Sequence, residues 1–245
     1  FPTRRSSDLP RLREHAASSG LHLDMRFCGS VDAIRALNEG RCTLAGFHTQ
    51  INPAVNSYTA KAYRELLQPG LHKIIGFATR SQGLITAAGN PLQLHNLADV
   101  AKRQARFVQR STGTGTRVLL DDLLAQAQLS AHDLNNWRDE EPSHTALAEA
   151  IASGRCDVGL GIESTARARG LDFVPLVQEE FHLVCLKSAL DTPATLALRH
   201  LLQEQAWADA LNALQGYQTH NCGQVQSLSK RLPWWTFKRA KKTTR

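Results

Sequence analysis

The stretch best equipped for chemistry is STGTGTR, residues 111–117, between a strand-like run at 105–109 and a helix-like run at 118–126. Glycines there let a ligand approach the main chain closely. The free N–H groups of the first helical turn, at the positive end of the helix dipole, make a seat for an anion. Ser111, Thr112, Thr114 and Thr116 add hydroxyl donors around Gly113, and Arg110 and Arg117 add charge. The pattern is neither the phosphate loop GxxxxGK[ST] nor the dinucleotide fingerprint GxGxxG. A tight strand-to-helix turn whose hydroxyls cap their own backbone would use the same residues.

Further segments share this geometry. Gly29 and Ser30 stand between a strand and a helix, and Ser143 and His144 open a helix. His48 with Thr49, and Glu163 with Ser164, follow strand ends. Each alone is also an ordinary cap or turn. Together they read as the rim of one cleft, since ligands of open α/β sheets sit at the C-terminal ends of strands. Catalytic signals are weak. GxSxG and HExxH are absent, and ten histidines are scattered without metal-ligand spacing. Cys28, Cys42, Cys156 and Cys185 fall in or beside apolar strands, where structural thiols are usual. Residues 139–141 (Asp-Glu-Glu) read as a solvated loop rather than an acid–base pair. The chain is therefore not expected to be an enzyme, and no catalytic residue, metal or cofactor is expected.

The elements that must position these residues follow from periodicity. Residues 11–19 suit a short helix with Leu12, His15 and Ala16 on one face and Gly20 as its stop. Residues 21–27 alternate apolar and polar, as a strand does. Ser30 then caps a helix over 31–38 that Gly40 ends, and 42–47 is a strand. Strand, GS, helix, strand is the grammar of a parallel α/β sheet. Residues 73–88 are apolar apart from Arg80-Ser81-Gln82, and form either one extended connector or two strands. Helices over 97–103 and 145–153, strands over 157–162, 173–175 and 181–186, and a helical region over 195–214 complete the pattern. Two α/β units thus flank the 73–88 connector, with 181–186 as a return crossing. Two lobes joined by two crossings enclose a cleft. The expected division is lobe I at 10–80 with 186–217, lobe II at 81–185, and a basic aromatic tail at 218–245.

The 245 residues are 42% hydrophobic and 21% charged, which excludes a disordered chain and provides a sizeable core. No apolar run approaches the roughly 20 residues of a membrane span, and no early run has the apolar centre of a signal peptide. Five cysteines, an odd number without a CxxC pair, argue against a disulfide framework and for a reducing cytoplasm. The net charge of +7 belongs to the ends. Residues 230–245 hold Lys230, Arg231, Lys238, Arg239, Lys241, Lys242 and Arg245 and no acid, and residues 1–9 add about one more positive charge. The body is nearly neutral, so a globular nucleic-acid surface is not expected. The tail reads as solvated, with Trp234, Trp235 and Phe237 packing back onto the body, or as a contact for nucleic acid or a partner. A run so basic is not expected to be buried. Residues 1–9 (FPTRRSSDL) look like a translated sequencing adapter and are set aside as an artefactual leader.

Four stretches in order, GSVDAIRALNEGRCTLAGFHT (29–49), IIGFATRSQGLITAAGNP (74–91), FVQRSTGTGTRVLLDDLL (107–124) and SHTALAEAIASGRCDVGLGIESTARARGLDFVPL (143–176), carry a resemblance. The sequence resembles the periplasmic-binding-protein-like domain found behind a winged helix-turn-helix in bacterial transcription regulators, a relative of type 2 molybdate- and tungstate-binding proteins. The resemblance implies a two-lobed α/β fold, each lobe a sheet flanked by helices, that closes on a small ligand without catalysis. It implies cleft contacts at Gly29, Ser30, His48, Thr49, Ser111, Thr112, Gly113, Thr114, Thr116, Ser143, His144 and Glu163. Such domains begin with a strand and a ligand-facing loop before the first helix, so the first strand and the DNA-binding region are expected to be missing here. The implied partners are a small-molecule or oxyanion ligand, molybdate or tungstate first, and DNA only through the missing region. No membrane is implied, and a homodimer is left open. The implied role is effector sensing in a cytoplasmic one-component regulator. Alternatives are the solute-binding component of an oxyanion transporter and a module fused to a molybdenum-cofactor enzyme.

Overall fold

The computed structural model describes residues 8–235. Residues 1–7 of the adapter-like leader and residues 236–245 lie outside the described residues, whereas Asp8 and Leu9, also set aside as part of that leader, begin the first helix. Helix α1 (Asp8–Ser18) buries Leu12 and Ala16, one turn apart, and ends before Gly20, whose φ of +77° reverses the chain. Residues 21–29 then run without regular structure, so the strand expected at 21–27 is absent. Their alternation still sets Leu21, Leu23 and Met25 against the core, but the segment joins no strand ladder and Phe27 is exposed. Helix α2 (Ser30–Asn38) buries Ile34 and Leu37. Its N-cap is Gly29, and Ser30 is its first helical residue rather than its cap.

Strand β1 (Ala45–Gln50) starts three residues later than the sequence suggests. Helix α3 (Tyr58–Arg64), not foreseen, is capped by Ser57, whose Oγ accepts from the Ala60 N–H. Strand β2 (His72–Thr86) settles the open question over 73–88 in favour of one continuous strand. There follow α4 (Leu97–Lys102), β3 (Arg106–Arg110), α5 (Gly115–Gln126) and β4 (Asn135–Glu141). The triplet at 139–141 is thus the end of a strand, not a solvated loop. Next come α6 (His144–Ala152), β5 (Val158–Ile162), α7 (Glu163–Arg167) and β6 (Asp172–Leu186). β6 is one strand where the sequence suggested two. The chain closes with α8 (Pro193–Gln203), α9 (Gln205–Asn212), β7 (Tyr217–Gln218), β8 (Val225–Ser227) and α10 (Leu228–Arg231).

The strands form one curled mixed sheet in the order β1-β6-β2-β5-β3-β4, with β7 and β8 also on β2. The parallel pairing expected from the strand–helix–strand order over 21–47 is corrected, while the two-lobed α/β fold with its sheet flanked by helices is as expected. β2 and β6 pair antiparallel from His72↔Leu186 to Thr86↔Asp172, and both serve both lobes. β1 lies antiparallel on the 179–184 half of β6. β5 lies antiparallel on the 82–86 half of β2, and only β3 runs parallel to its neighbours β5 and β4. Among the described residues no helix is long and apolar enough to cross a membrane.

Side chains alternate across a strand, so each lobe has a core on both faces of the sheet. In the first lobe Ile75, Phe77, Leu183 and Cys185 face α1, α8 and α9 around Trp207. Ile74, Val184, Ala45 and Phe47 face α2 and α3 around Tyr63. In the second, Leu84, Phe107 and Leu160 pack on α4 and α5, and Ile85, Val108 and Leu171 pack with Leu147 and Ile151 of α6. The C-terminal segment adds to the core around Tyr63. Leu228, Leu232 and Trp234 are buried, and the Trp234 ring lies 6.3 Å from that of Tyr63. The expected packing of Trp234 and Trp235 onto the body is seen, and Leu228 and Leu232 dock with them, while Ser229, Lys230 and Pro233 stay exposed. Arg231 pairs with the buried Glu180.

Candidate functional site

Where β2 and β6 cross between the lobes, their apolar runs break into polar residues that stay buried. Arg80 is 4% exposed, Gln82 0% and Glu179 1%. Arg80 and Glu179 are register partners across the strands, and the guanidinium Nε donates to Glu179 Oε1. Arg80 Nη1 donates to the Tyr217 hydroxyl at 3.2 Å, which donates to Asp8 Oδ2 at 3.1 Å. Asp8 thus brings the first turn of α1 onto the crossing. Arg80 Nη2 lies 3.3 Å from His48 Nε2. Gln82 Nε2 donates to Glu179 Oε2 at 2.7 Å and to Thr116 Oγ1 at 3.3 Å, and Thr116 Oγ1 lies 3.4 Å from His144 Nε2. The network spans β1, β2, β6, β7 and the first turns of α1, α5 and α6.

Arg110, the last residue of β3, completes it. Its Nε and Nη1 are buried and have no hydrogen-bond partner among the described residues. Burial, and then the nearby Arg80, push its pKa down to about 10, although Glu141 opposes them. Glu141 itself reaches Arg155 at 3.5 Å. Burial alone would lower Arg80, but Glu179, Tyr217 and Asp8 hold it above its ordinary value, so it stays charged. His48 is pushed well below 6.5 by burial and by Arg80, and His144 by burial and by Arg110 and Arg80. Both imidazoles are neutral at pH 7. The cluster therefore contains a guanidinium paired with a carboxylate, a second guanidinium with two buried nitrogens unpartnered among the described residues, and two neutral imidazoles, an arrangement that can hold an anion.

The rim residues divide. The Gly29 and Gly113 loops meet across the cleft: the Val31 N–H reaches the Gly113 carbonyl at 3.4 Å, and a Cβ on Gly29 would lie 2.5 Å from that oxygen. Gly113 holds a φ of +82°. Ser30 is buried. Thr116, His48 and His144 face the cluster. Thr114 and Thr112 spend their polar groups within the loop and on Glu140 of β4. Thr114 caps α5, accepting from the Arg117 N–H and donating to the Ser111 carbonyl at 2.7 Å. Thr112 gives both its N–H and its hydroxyl to Glu140, which also meets Arg117. Ser143 caps α6 through the Ala146 N–H. Thr49, next to His48 on β1, takes the opposite face and lies 3.2 Å from His182. Glu163 pairs with Arg167 at the start of α7 and lies against Gly216.

Sequence reasoning missed Arg80, Gln82, Glu179 and Tyr217. The available signal was Arg80-Ser81-Gln82 interrupting an apolar run, matched by Gln178-Glu179-Glu180 in the other crossing. Among the described residues no three His, Cys, Asp or Glu side chains are arranged to hold a metal ion.

A family model described as a PBP superfamily domain matches residues 12–203. The uncharacterized protein YvgK of Bacillus subtilis (strain 168) is 27% identical over 200 residues, 82% of this chain. The chain spans 64% of that relative's length. Among solved structures, a phosphate-bound protein of Clostridium perfringens, described as a phosphate ABC transporter substrate-binding protein, aligns with a TM-score of 0.65 at 13% identity, covering 88% of this chain and 96% of that one. The tungstate ABC transporter of Geobacter sulfurreducens aligns at 0.61 and 12% identity, covering 86% and 94%. The effector-binding domain of QuiR in complex with shikimate aligns at 0.57 and 15% identity, covering 84% and 90%. At these identities the likeness is one of fold.

Proposed function

This chain belongs to the PBP superfamily, and from that premise we propose that its lobes close on a small anion held by Arg110 and Arg80. The observation that carries this is the Arg110 guanidinium, buried at Nε and Nη1 without a partner. A buried donor left unsatisfied costs about 1–3 kcal/mol, and an anionic ligand removes that cost with charge-assisted hydrogen bonds. Thr116 and the neutral His48 and His144 supply the remaining contacts. The domain serves as the ligand-sensing part of a cytoplasmic one-component transcription regulator, with DNA contacted by a region outside this chain. Ligand occupancy shifts the balance between open and closed lobes, and the DNA-binding region reads the shift. The QuiR effector domain supports this role. The phosphate and tungstate transport neighbours favour a second reading, a solute-binding component. The division into lobes is kept as a proposal with two changes, the first being that residues 228–235 go with lobe I because Leu228, Leu232 and Trp234 share its core. The β6 crossing is placed near Gln178, because Phe181, Leu183 and Cys185 share a core with Leu12 and Trp207.

Calorimetry against phosphate, sulfate, molybdate, tungstate and small carboxylates tests the anion reading. At least one should bind, and Arg110→Gln should weaken it by roughly 10- to 100-fold. No binding across the panel at millimolar concentration, or equal binding by Arg110→Gln, would overturn it. The reading frame at the source locus separates the two roles: a helix-turn-helix supports regulation and a secretion signal supports transport.

A further inference from the structure

Hydrogen-bond accounting in the cluster restricts the anion further. The orientation of the Gln82 amide is dictated by its neighbours. Its nitrogen lies 2.7 Å from Glu179 Oε2 and 3.3 Å from Thr116 Oγ1. The reverse orientation would set an amide oxygen against a carboxylate oxygen, so the nitrogen must face Glu179. Gln82 Oε1 is then an acceptor, and it is buried without a donor among the described residues. The other unpartnered groups nearby have different needs. Arg110 Nε and Nη1 can only donate. His48 receives Arg80 Nη2 at its Nε2, so that nitrogen accepts and Nδ1 carries the proton. His48 Nδ1 is also unpartnered, with Glu179 Oε1 3.7 Å away. His144 Nδ1 is unpartnered and can take either role.

Donors around an anion are expected. A buried amide oxygen is not, because the oxygens of a fully deprotonated anion would meet it acceptor to acceptor. We propose that the ligand carries an O–H donor beside its negative charge, as a hydroxycarboxylate or a hydrogen phosphate does, and that Gln82 Oε1 accepts that proton. Sulfate, molybdate and tungstate satisfy the guanidinium and leave Gln82 Oε1 unpaired. A site built to bind a hydroxyl rejects the analogue lacking it far more strongly than an apolar pocket rejects a missing methylene. This inference rests on the anion reading of the same cleft.

The test uses the full chain and two series of anions that vary the O–H donor. Glycolate, methoxyacetate and acetate form one series, and inorganic phosphate and sulfate at pH 6.5 form the other, with molybdate alongside. Glycolate should bind at least about tenfold more tightly than methoxyacetate and acetate if the ligand is a hydroxycarboxylate. Phosphate should exceed sulfate and molybdate by a similar factor if it is a hydrogen phosphate. Gln82→Met, close in volume, should bring the ratio near one. The ligand series needs no variant, so a poorly folding Gln82→Met leaves the test intact. Methoxyacetate matching glycolate together with sulfate or molybdate matching phosphate overturns the inference and leaves the anion cleft standing. Absence of binding by every anion in both series overturns both.

Discussion

Arg80 and Arg110 are guanidiniums of one buried cluster in different circumstances. Arg80 is matched by Glu179, so removing it strands a carboxylate that is 1% exposed. Arg80→Gln should cost about 3–5 kcal/mol of stability in urea denaturation. Arg110→Gln, which removes two buried nitrogens unpartnered among the described residues, should cost little or stabilise the unliganded protein while impairing binding. The histidines make a pH prediction. His48 and His144 take up protons in the folded state only well below 6.5, so below about pH 6.5 the unfolded chain binds more protons than the folded one. Stability from these groups is present above that pH and is lost as pH falls through it. Denaturation at pH 7, 6 and 5 should show a decline with a limit of about 1.4 kcal/mol per pH unit for each histidine. His144→Gln should flatten the decline, and an unchanged slope would count against the neutral imidazole.

At the scale of elements, two loops decide how closely the lobes approach. Gly29 has no room for a side chain against the Gly113 carbonyl. Gly29→Ala should hold the lobes apart, lowering ligand affinity about tenfold or more with a smaller effect on melting temperature. Gly113 differs. A Cβ there would meet only Asp32 Oδ2 at 3.8 Å, so its requirement comes from the φ of +82°. Gly113→Val should therefore cost at least about 1–2 kcal/mol of stability as well as affinity. Calorimetry and thermal unfolding on the two variants separate these causes. Equal losses of affinity and stability in Gly29→Ala would assign that glycine to the fold alone.

The whole molecule is held by two strands shared between lobes and by a C-terminal segment that returns to the first. Judged by its charge, that segment should be dispensable. Its burial says otherwise, because Leu228, Leu232 and Trp234 lie in the core around Tyr63. Trp234→Ala should cost about 3–5 kcal/mol, and removal of residues 228–245 should lower the melting temperature well beyond that single change. Unaltered unfolding of the truncated chain would show the docking to be energetically idle.

Local sequence determined what local physics governs. Leu12 with Ala16 and Ile34 with Leu37 marked helix faces at a spacing of three to four. Ser143 marked a cap, and glycine–hydroxyl loops between strand and helix marked the mouth of a cleft. These depend on neighbours a few residues away, and the two-lobed α/β class follows from their order. The partnership of Arg80 with Glu179, 99 residues apart, came only from the pairing of β2 with β6. That pairing, with β1 laid on the other edge of β6, also decides that His48 faces the cluster while Thr49, one residue on, faces away. It turns Gln82 from an interruption in an apolar run into a buried acceptor. Residues 21–27 show the converse. Their alternation is that of a strand, yet a strand needs a second main chain to pair with, and only the tertiary structure determines whether one is there.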